Sequence, residues 1–280
     1  MIKIAFGMIV FEGDYVLREC LQQVYPYASQ ILIAEGPVKY WQDRGRHTSL
    51  DRTNEILKNF PDPEGKLKVV HGQYEEKDQQ SNAYMDLIEP DTDYLWMIDS
   101  DEVYKSEDIE KTIEFLKEHR PTSVGVRSCS FFGGFDHFLT GFEQNVDNFL
   151  RIFKYEEGCD WLTHRPPTMK YLSDMFLNHV DSEEFYRLTG VMMYHYSYVF
   201  DAQVRNKVEY YKAKVSRYKC IDNYYEEVFI PWVKGSHIHR LLIENKYNGV
   251  HEWKPEYRGP CRTERFIGTH PESIEKAFGV

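Results

Sequence analysis

The stretch Tyr94–Glu102, YLWMIDSDE, joins a short apolar run directly to a cluster of acidic residues. The apolar run predicts a strand buried on both faces, so the acids follow at its carboxyl end. Alternate residues of an extended chain point the same way, so Asp99 and Asp101 can converge on one object. Two close carboxylates repel unless a cation lies between them or one is protonated. The pattern favours a Mg²⁺ or Mn²⁺ site over the alternative, a solvated acidic turn.

The segments before this strand alternate between strand and helix patterns up to about residue 120. Apolar runs at 2–10, 31–34 and 67–70 predict three further strands, and apolar residues at helical spacing lie between them. This alternation is typical of an α/β fold with a mainly parallel sheet. Such sheets bind ligands at the carboxyl ends of their strands, which is where the acidic cluster is expected.

The rhythm changes after Pro121. Strand-like stretches at 123–128, 149–153 and 190–198 are separated by longer aromatic segments, and a helix is predicted over 201–218. The tail from about residue 231 shows little periodicity. We therefore predict one α/β domain over residues 1–230 and an irregular extension over 231–280.

Composition excludes several classes of protein. The 280 residues carry 34 Lys and Arg against 45 Asp and Glu, a net charge of −11. This balance disfavours a nucleic-acid partner or bulk attraction to anionic lipid. No apolar run approaches the ~20 residues of a transmembrane helix, and the N-terminus lacks the features of a signal peptide. The five cysteines are scattered without a Cys-x-x-Cys pair, so we expect a reducing, cytoplasmic location.

Three further features are candidates for a binding site. Glu35 ends the strand 31–34, where its carboxylate can accept hydrogen bonds from a base or ribose; a plain turn acid is the alternative. Lys77 and Asn82 belong to a polar cluster at a helix start, which suits an anionic ligand or ordinary capping. His195 lies within a strand-like run that ends near a helix cap and could be a third partner of the acidic pair, although most such histidines are structural.

In their order, these motifs resemble glycosyltransferase family 2 with the GT-A fold, particularly the small bacterial sugar transferases of cell-surface glycan synthesis. The resemblance covers about residues 2–215. The motifs that carry it are the first-strand turn Val10-Phe11-Glu12, the acid Glu35, the turn Thr48–Thr53, Lys77, Ser81-Asn82, the acidic motif Asp99-Ser100-Asp101-Glu102, the strand Leu150–Lys154 and the run His195–Tyr198.

The resemblance implies inverting transfer of a sugar from a nucleotide diphosphate sugar to a glycan, lipid-linked or protein acceptor. It places the donor half at about 1–120 and the acceptor half at about 121–230. Peripheral membrane contact stays open. The implied donor contacts are Val10, Phe11, Glu12, Glu35, Lys77, Asn82, Asp99 and Ser100. The implied ligands of Mn²⁺ or Mg²⁺ are Asp99, Asp101 and His195.

An inverting transfer needs a carboxylate that takes the acceptor's proton. The candidates in the middle segment are Asp136, Glu143, Asp160, Asp174 and Asp181. We favour Asp160, which precedes Trp161, with Asp181 as the alternate base. His164-Arg165 stands where many members of the family have His-Glu, and the insertion 37–47 has no counterpart in the family pattern.

The basic tail is expected to form a lid over the donor, with Arg262 and Arg265 contacting its diphosphate. Arginine offers a planar fork that matches phosphate oxygens. The alternative is a surface tail that pairs with the acidic body. Two rival functions remain open: a nucleotidyltransferase of the same general fold, and an inactive glycan- or nucleotide-binding protein.

Overall fold

The structure is a computed structural model that describes residues 2–143, 149–173, 177–214 and 219–280, with only the main chain at Glu143. The strands are β1 (Ile4–Val10), β2 (Gln30–Glu35), β3 (Leu67–His71), β4 (Tyr94–Met97), β5 (Glu102–Val103), β6 (Ser123–Gly125), β7 (Arg127–Phe132), β8 (His137–Leu139), β9 (Leu150–Lys154), β10 (Asp160–His164), β11 (Pro167–Lys170), β12 (His179–Val180), β13 (Met192–Tyr198) and β14 (Thr263–Arg265). The α-helices are α1 (Leu17–Val24), α2 (Lys39–Gln42), α3 (Thr53–Asn59), α4 (Lys77–Asn82), α5 (Ser106–His119), α6 (Ser182–Thr189), α7 (Asp201–Lys214), α8 (Ile230–Lys234), α9 (His237–Tyr247), α10 (Pro255–Arg258) and α11 (Glu272–Phe278). Shorter 3₁₀ turns cover Met85–Leu87 and Gly141–Glu143, and a π-helical turn covers Tyr225–Phe229.

The chain divides into two compact units. The first unit contains Met1–Arg127, Asp147–Met193 and His270–Gly279, and the second contains Ser128–Val146, Tyr194–Thr269 and Val280. The predicted extension 231–280 is therefore shared between them. The proposed boundary at residue 230 stays a prediction.

A seven-stranded sheet in the order β12-β6-β9-β4-β1-β2-β3 forms the centre of the first unit. The neighbouring strands β4, β1, β2 and β3 pair in parallel, whereas β9 runs antiparallel to both β4 and β6. The predicted α/β fold with a mixed, mainly parallel sheet is confirmed, and its assignment to the GT-A type stays a prediction.

Burial on both faces explains why β1, β2 and β4 are almost continuously apolar. Phe6 and Trp96 on neighbouring strands are fully buried, and their rings stack with centroids 5.1 Å apart. At Gly7 a Cβ atom would lie 2.8 Å from the hydroxyl oxygen of Tyr84. Glycine is required there because an aromatic ring lies directly against the strand.

Helix α11 belongs to the first unit and packs against α1. The side-chain amide of Gln23 donates to Glu272 Oε2 at 2.7 Å, and the same nitrogen lies 2.7 Å from Ser106 Oγ. Gln23 is itself buried, and its side-chain amide links α1 to both α5 and α11.

In the second unit, the strands β14, β8, β7 and β13 follow one another in that order. Its core is aromatic: the ring of Phe132 lies 5.0 Å from Trp232 and 5.6 Å from Phe229, both edge-on. The helix predicted over 201–218 begins at Asp201 and is described to Lys214, and residues 215–218 lie outside the described residues.

Two sequence expectations concern the whole chain. All five cysteines are buried and carry free thiols. None of the helices in the described ranges is both long enough and apolar enough to span a membrane.

Candidate functional site

The carboxyl ends of the parallel strands meet at one edge of the first unit's sheet. Val10, Glu35 and His71 are in register at the ends of β1, β2 and β3. Strand β4 runs on into the acidic motif, and the Ile98 amide donates to the Gly7 carbonyl at 3.0 Å. The sheet therefore places the predicted donor residues of three strands along the expected edge.

Asp99 lies between two guanidinium groups. Its Oδ2 is 3.4 Å from Arg151 Nη2 and 3.7 Å from Arg165 Nη2. Burial alone would raise the pKa of Asp99, but the charges of Arg151 and Arg165 outweigh it, with Lys77 acting in the same direction. The pKa of Asp99 is held well below its usual range. This carboxylate is therefore ionised throughout the neutral pH range.

Glu102 plays a different part from the other acids of the motif. It is fully buried and receives Nε of Arg151 at 2.8 Å and a second, short hydrogen bond from Nη2. Its Oε2 also accepts the main-chain N–H of Asp99 at 3.0 Å. Glu102 thus shapes the turn and neutralises Arg151, which the sequence pattern alone did not distinguish from a ligand role.

The turn after β1 is packed closely against the acidic motif. A Cβ atom on Gly13 would lie 2.5 Å from Ser100 Oγ, so only glycine allows this approach. Ser100 and Asp101 are both half-buried at the rim of the sheet. This close approach brings the predicted donor residues of β1 beside those of β4.

The insertion 37–47 reaches the same turn. Arg46 forms an ion pair with Glu12, with Nε 3.2 Å from Oε1. The Arg46 guanidinium also lies over the ring of Trp41, 4.1 Å from its centroid, and 5.4 Å from the centroid of Phe11. The insertion therefore braces Phe11 and Glu12, two of the predicted donor contacts.

Glu35 is buried and has partners on both carboxylate oxygens. Ser49 Oγ donates to Oε1 at 2.6 Å, and His71 Nδ1 lies 3.0 Å from Oε2. Ser49 Oγ in turn accepts the main-chain N–H of Glu12 at 2.9 Å. The His71 side chain is 60% exposed at the rim, so the Glu35 carboxylate anchors an exposed imidazole.

Gln80 is a site residue that sequence reasoning missed. Its buried side-chain amide lies 2.9 Å from the Ala34 carbonyl, 3.0 Å from that of Gly36 and 3.3 Å from that of Val10. This amide ties the ends of β1 and β2 together. The sequence carries no signal for the role, because a glutamine in a helix is usually a surface residue.

The predicted polar cluster of α4 docks strand β10. The Asn82 amide donates to the Trp161 carbonyl at 2.9 Å and accepts the Trp161 N–H at 2.8 Å. Ser81 Oγ lies 3.1 Å from Nδ1 of the buried His164, and Asp78 accepts the His164 main-chain N–H. Burial first and the charge of Lys77 second lower the pKa of His164, so its imidazole is neutral.

The proposed bases occupy separate places. Asp160 is exposed at the start of β10, at the opposite end from His164. Asp181 caps α6 and accepts the Glu184 N–H at 2.8 Å. In the second unit, Asp136 Oδ1 lies 3.0 Å from His137 Nδ1. Asp174 and the side chain of Glu143 lie outside the described residues.

Three predicted site residues belong to the second unit. His195 is buried on β13, with Nδ1 3.3 Å from Ser130 Oγ. Arg262 Nη1 donates to Asn245 Oδ1 at 3.2 Å, and Arg265 is exposed on β14. Their proposed roles at the metal and the diphosphate stay predictions.

The acidic motif has the donor chemistry for a hard cation. Asp99 and Asp101 offer carboxylate oxygens, and Asp99 is ionised, which suits Mg²⁺ or Mn²⁺. Within the ranges that the structure describes, no group of three or more His, Cys, Asp and Glu side chains could hold a metal. An ion at these two carboxylates would take its other ligands from a substrate or from water.

Part of the chain is similar to a known protein family. Residues 48–178, just under half of the chain, match the family model described as glycosyl transferase family 2. No curated protein sequence matches the chain.

Solved structures of TarS from S. aureus resemble the chain. The structure of TarS 1–349 in complex with UDP has 12% identity and a TM-score of 0.38, covering 55% of this chain and 47% of that one. TarS 1–349 without that ligand has 13% identity and a TM-score of 0.38, covering 67% and 63%. The complex with UDP-GlcNAc has 12% identity and a TM-score of 0.38, covering 55% and 45%. The chain thus spans less than two thirds of the TarS chains that it matches.

Proposed function

We propose that the chain, whose residues 48–178 match the glycosyl transferase family 2 model, transfers a sugar from a nucleotide diphosphate sugar to an acceptor hydroxyl on a glycan, a lipid-linked saccharide or a protein. The observation that carries the proposal is Asp99 at the carboxyl end of β4, which forms an ion pair with Arg151, while its neighbour Ser100 lies against the turn after β1. Carboxylates in this place suit a donor whose diphosphate is bound together with a divalent cation.

The leaving nucleoside diphosphate gains negative charge as the glycosidic bond breaks. A Mg²⁺ or Mn²⁺ ion bound by Asp99 and Asp101 would supply Lewis-acid neutralisation of that charge. Glu102 and Arg151 keep the motif in position, because Glu102 Oε2 accepts hydrogen bonds from both the Asp99 main-chain N–H and Arg151 Nε. Lys77 adds positive charge near Asp99.

The nucleoside part of the donor is assigned to the ends of β1 and β2. Phe11 and Glu12 are braced by Arg46, and Glu35 is held by Ser49 and His71. Such anchored side chains keep a fixed geometry before the donor arrives, which lowers the entropy cost of binding. The nucleobase that this part of the site recognises is identified by a panel of nucleotide sugars.

A carboxylate must take the proton of the acceptor hydroxyl in an inverting displacement. Asp160 remains our favoured base and Asp181 the alternate. Asp160→Asn should lower the turnover number by about a hundredfold or more if it is the base. Asp181→Asn tests the alternate base and also weakens the cap of α6, so its melting temperature is measured in parallel.

The donor test uses the full chain with Mn²⁺ and UDP-, GDP-, CDP- and dTDP-sugars, UDP-GlcNAc among them. Binding to the native state raises the melting temperature, so the donor stands out in a thermal-shift panel. Release of a nucleoside diphosphate supports the transferase. Release of pyrophosphate would instead identify a nucleotidyltransferase, and binding without any product a glycan- or nucleotide-binding protein.

A further inference from the structure

Two arginines contact Asp99, and they differ in their surroundings. The Arg151 side chain is 3% exposed and forms a bidentate ion pair with the buried Glu102. The Arg165 side chain is 53% exposed, and its Nη2 lies 3.7 Å from Asp99 Oδ2. Arg151 is therefore built into the first unit, whereas Arg165 reaches Asp99 from the solvent side.

The positive charge of Arg151 is matched by the fully buried carboxylate of Glu102. Arg165 adds a second guanidinium to the same Asp99 oxygen, and the charge of Lys77 acts on Asp99 in the same direction. A divalent cation that binds Asp99 competes with the Arg165 guanidinium for the same carboxylate, since like charges repel. Half of the Arg165 side chain is in solvent, so its guanidinium can exchange the Asp99 carboxylate for another anion within reach.

We propose that Arg165 is a displaceable counter-ion of Asp99: its guanidinium occupies Asp99 in the empty site and moves to a phosphate oxygen of the donor when the diphosphate and its metal ion bind. The inference rests on the proposed function, and it assigns a diphosphate contact where the family pattern has an acid. A guanidinium suits both partners, because its planar fork matches carboxylate and phosphate oxygens alike.

The proposal predicts effects of opposite sign for one substitution. Without a diphosphate, Arg165→Gln removes a competing charge, so the protein should bind Mn²⁺ about fivefold more tightly. At saturating Mn²⁺, the same variant lacks a charge-assisted hydrogen bond to phosphate, so it should bind pyrophosphate about tenfold more weakly. Arg165→Lys keeps the charge and loses the fork, so its Mn²⁺ affinity should stay close to that of the wild type.

The experiment measures free Mn²⁺ by electron paramagnetic resonance and pyrophosphate binding by calorimetry, neither of which needs a sugar donor. The matched control is Arg187→Gln, an exposed arginine on α6 that should change neither affinity. Suppose that the wild type binds both ligands. If Arg165→Gln then changes neither affinity, or changes both in the same direction, Arg165 is not a displaceable counter-ion of Asp99, while the proposed function stands. If neither protein binds Mn²⁺, the metal part of the proposed function and the counter-ion fail together.

Discussion

Arg151 and Glu102 form a buried ion pair, with Nε of Arg151 donating to Oε2 of Glu102 at 2.8 Å. The two side chains are 3% and 0% exposed. Removing the Glu102 charge leaves the buried Arg151 guanidinium with the more distant Asp99 carboxylate, 3.4 Å away, in a medium of low polarity. We expect Glu102→Gln to lower the free energy of unfolding by about 3–5 kcal/mol, measured by urea denaturation.

The control for this pair removes both charges. Glu102→Gln combined with Arg151→Met should recover most of the lost stability, because the Arg151 charge that Glu102 neutralises is then absent as well and Asp99 keeps Arg165 as a partner. A single variant as stable as the wild type would show that Glu102 does not neutralise Arg151.

Asp101→Asn should abolish most of the sugar transfer while the fold stays intact. Losing a charged ligand of the metal is expected to cost on the order of 2 kcal/mol or more in the transition state, so activity should fall below about a tenth. Initial rates with the identified donor and Mn²⁺ check the prediction. Glu114→Gln, an exposed acid on α5, is the matched control and should leave the rate unchanged. If Asp101→Asn keeps more than about a tenth of the wild-type activity, Asp101 is not a ligand of the metal.

Asn82→Ala should destabilise the first unit. The side-chain amide makes two hydrogen bonds with the main chain of Trp161, so its loss is expected to cost about 1–3 kcal/mol. Chemical denaturation measures the change, with the exposed Asn59→Ala on α3 as control. If Asn82→Ala also binds the donor more weakly at a temperature where the variant is fully folded, the result supports the proposed donor contact. Unchanged stability would contradict the docking role.

Asp108 should make the protein less stable as pH rises. Burial, opposed by Lys111 and reinforced by Glu107, raises the pKa of Asp108 from 3.8 to about 6. Because the pKa is higher in the folded state, the contribution of Asp108 to the free energy of unfolding is fully present below about pH 4. This contribution is lost as the pH rises through about 6. Asp108→Asn keeps an acceptor without the charge, so it should stabilise the protein by roughly 1–3 kcal/mol at pH 8.

Denaturation curves of the wild type and of Asp108→Asn at several pH values test this sign. The difference between the two proteins should shrink as pH falls from 8 to 4. A difference that stayed constant would mean that Asp108 titrates at its ordinary value.

His195→Ala separates the proposed metal ligand from a structural histidine. A ligand role predicts weaker Mn²⁺-dependent donor binding and an almost unchanged melting temperature without metal. His195 is buried with Nδ1 3.3 Å from Ser130 Oγ, so a structural role predicts the reverse pattern. Thermal melts with and without Mn²⁺ distinguish the two, and lost stability with a preserved Mn²⁺ response would rule out the ligand.

Local patterns were sufficient for the α/β class and for the edge that carries the site. The apolar runs of β1, β2 and β4 are legible because strands buried on both faces need apolar side chains at nearly every position. The acids after Ile98 could be placed at the sheet's carboxyl edge for the same reason, since parallel strands end on one side. Both inferences depend only on neighbours in the sequence.

Which side chains face each other was decided by the tertiary structure. Arg151 meets Glu102 and Asp99 only because β9 pairs with β4, a non-local choice that periodicity does not encode. The same is true of Gln80 beneath the ends of β1 and β2, and of His71 against Glu35. Periodicity reports that a side chain is buried, whereas its partner depends on strand order and register. For that reason the sequence by itself determined where the acids of this protein lie, and the tertiary structure determined that Glu102 is a structural acid and Asp99 an ionised one.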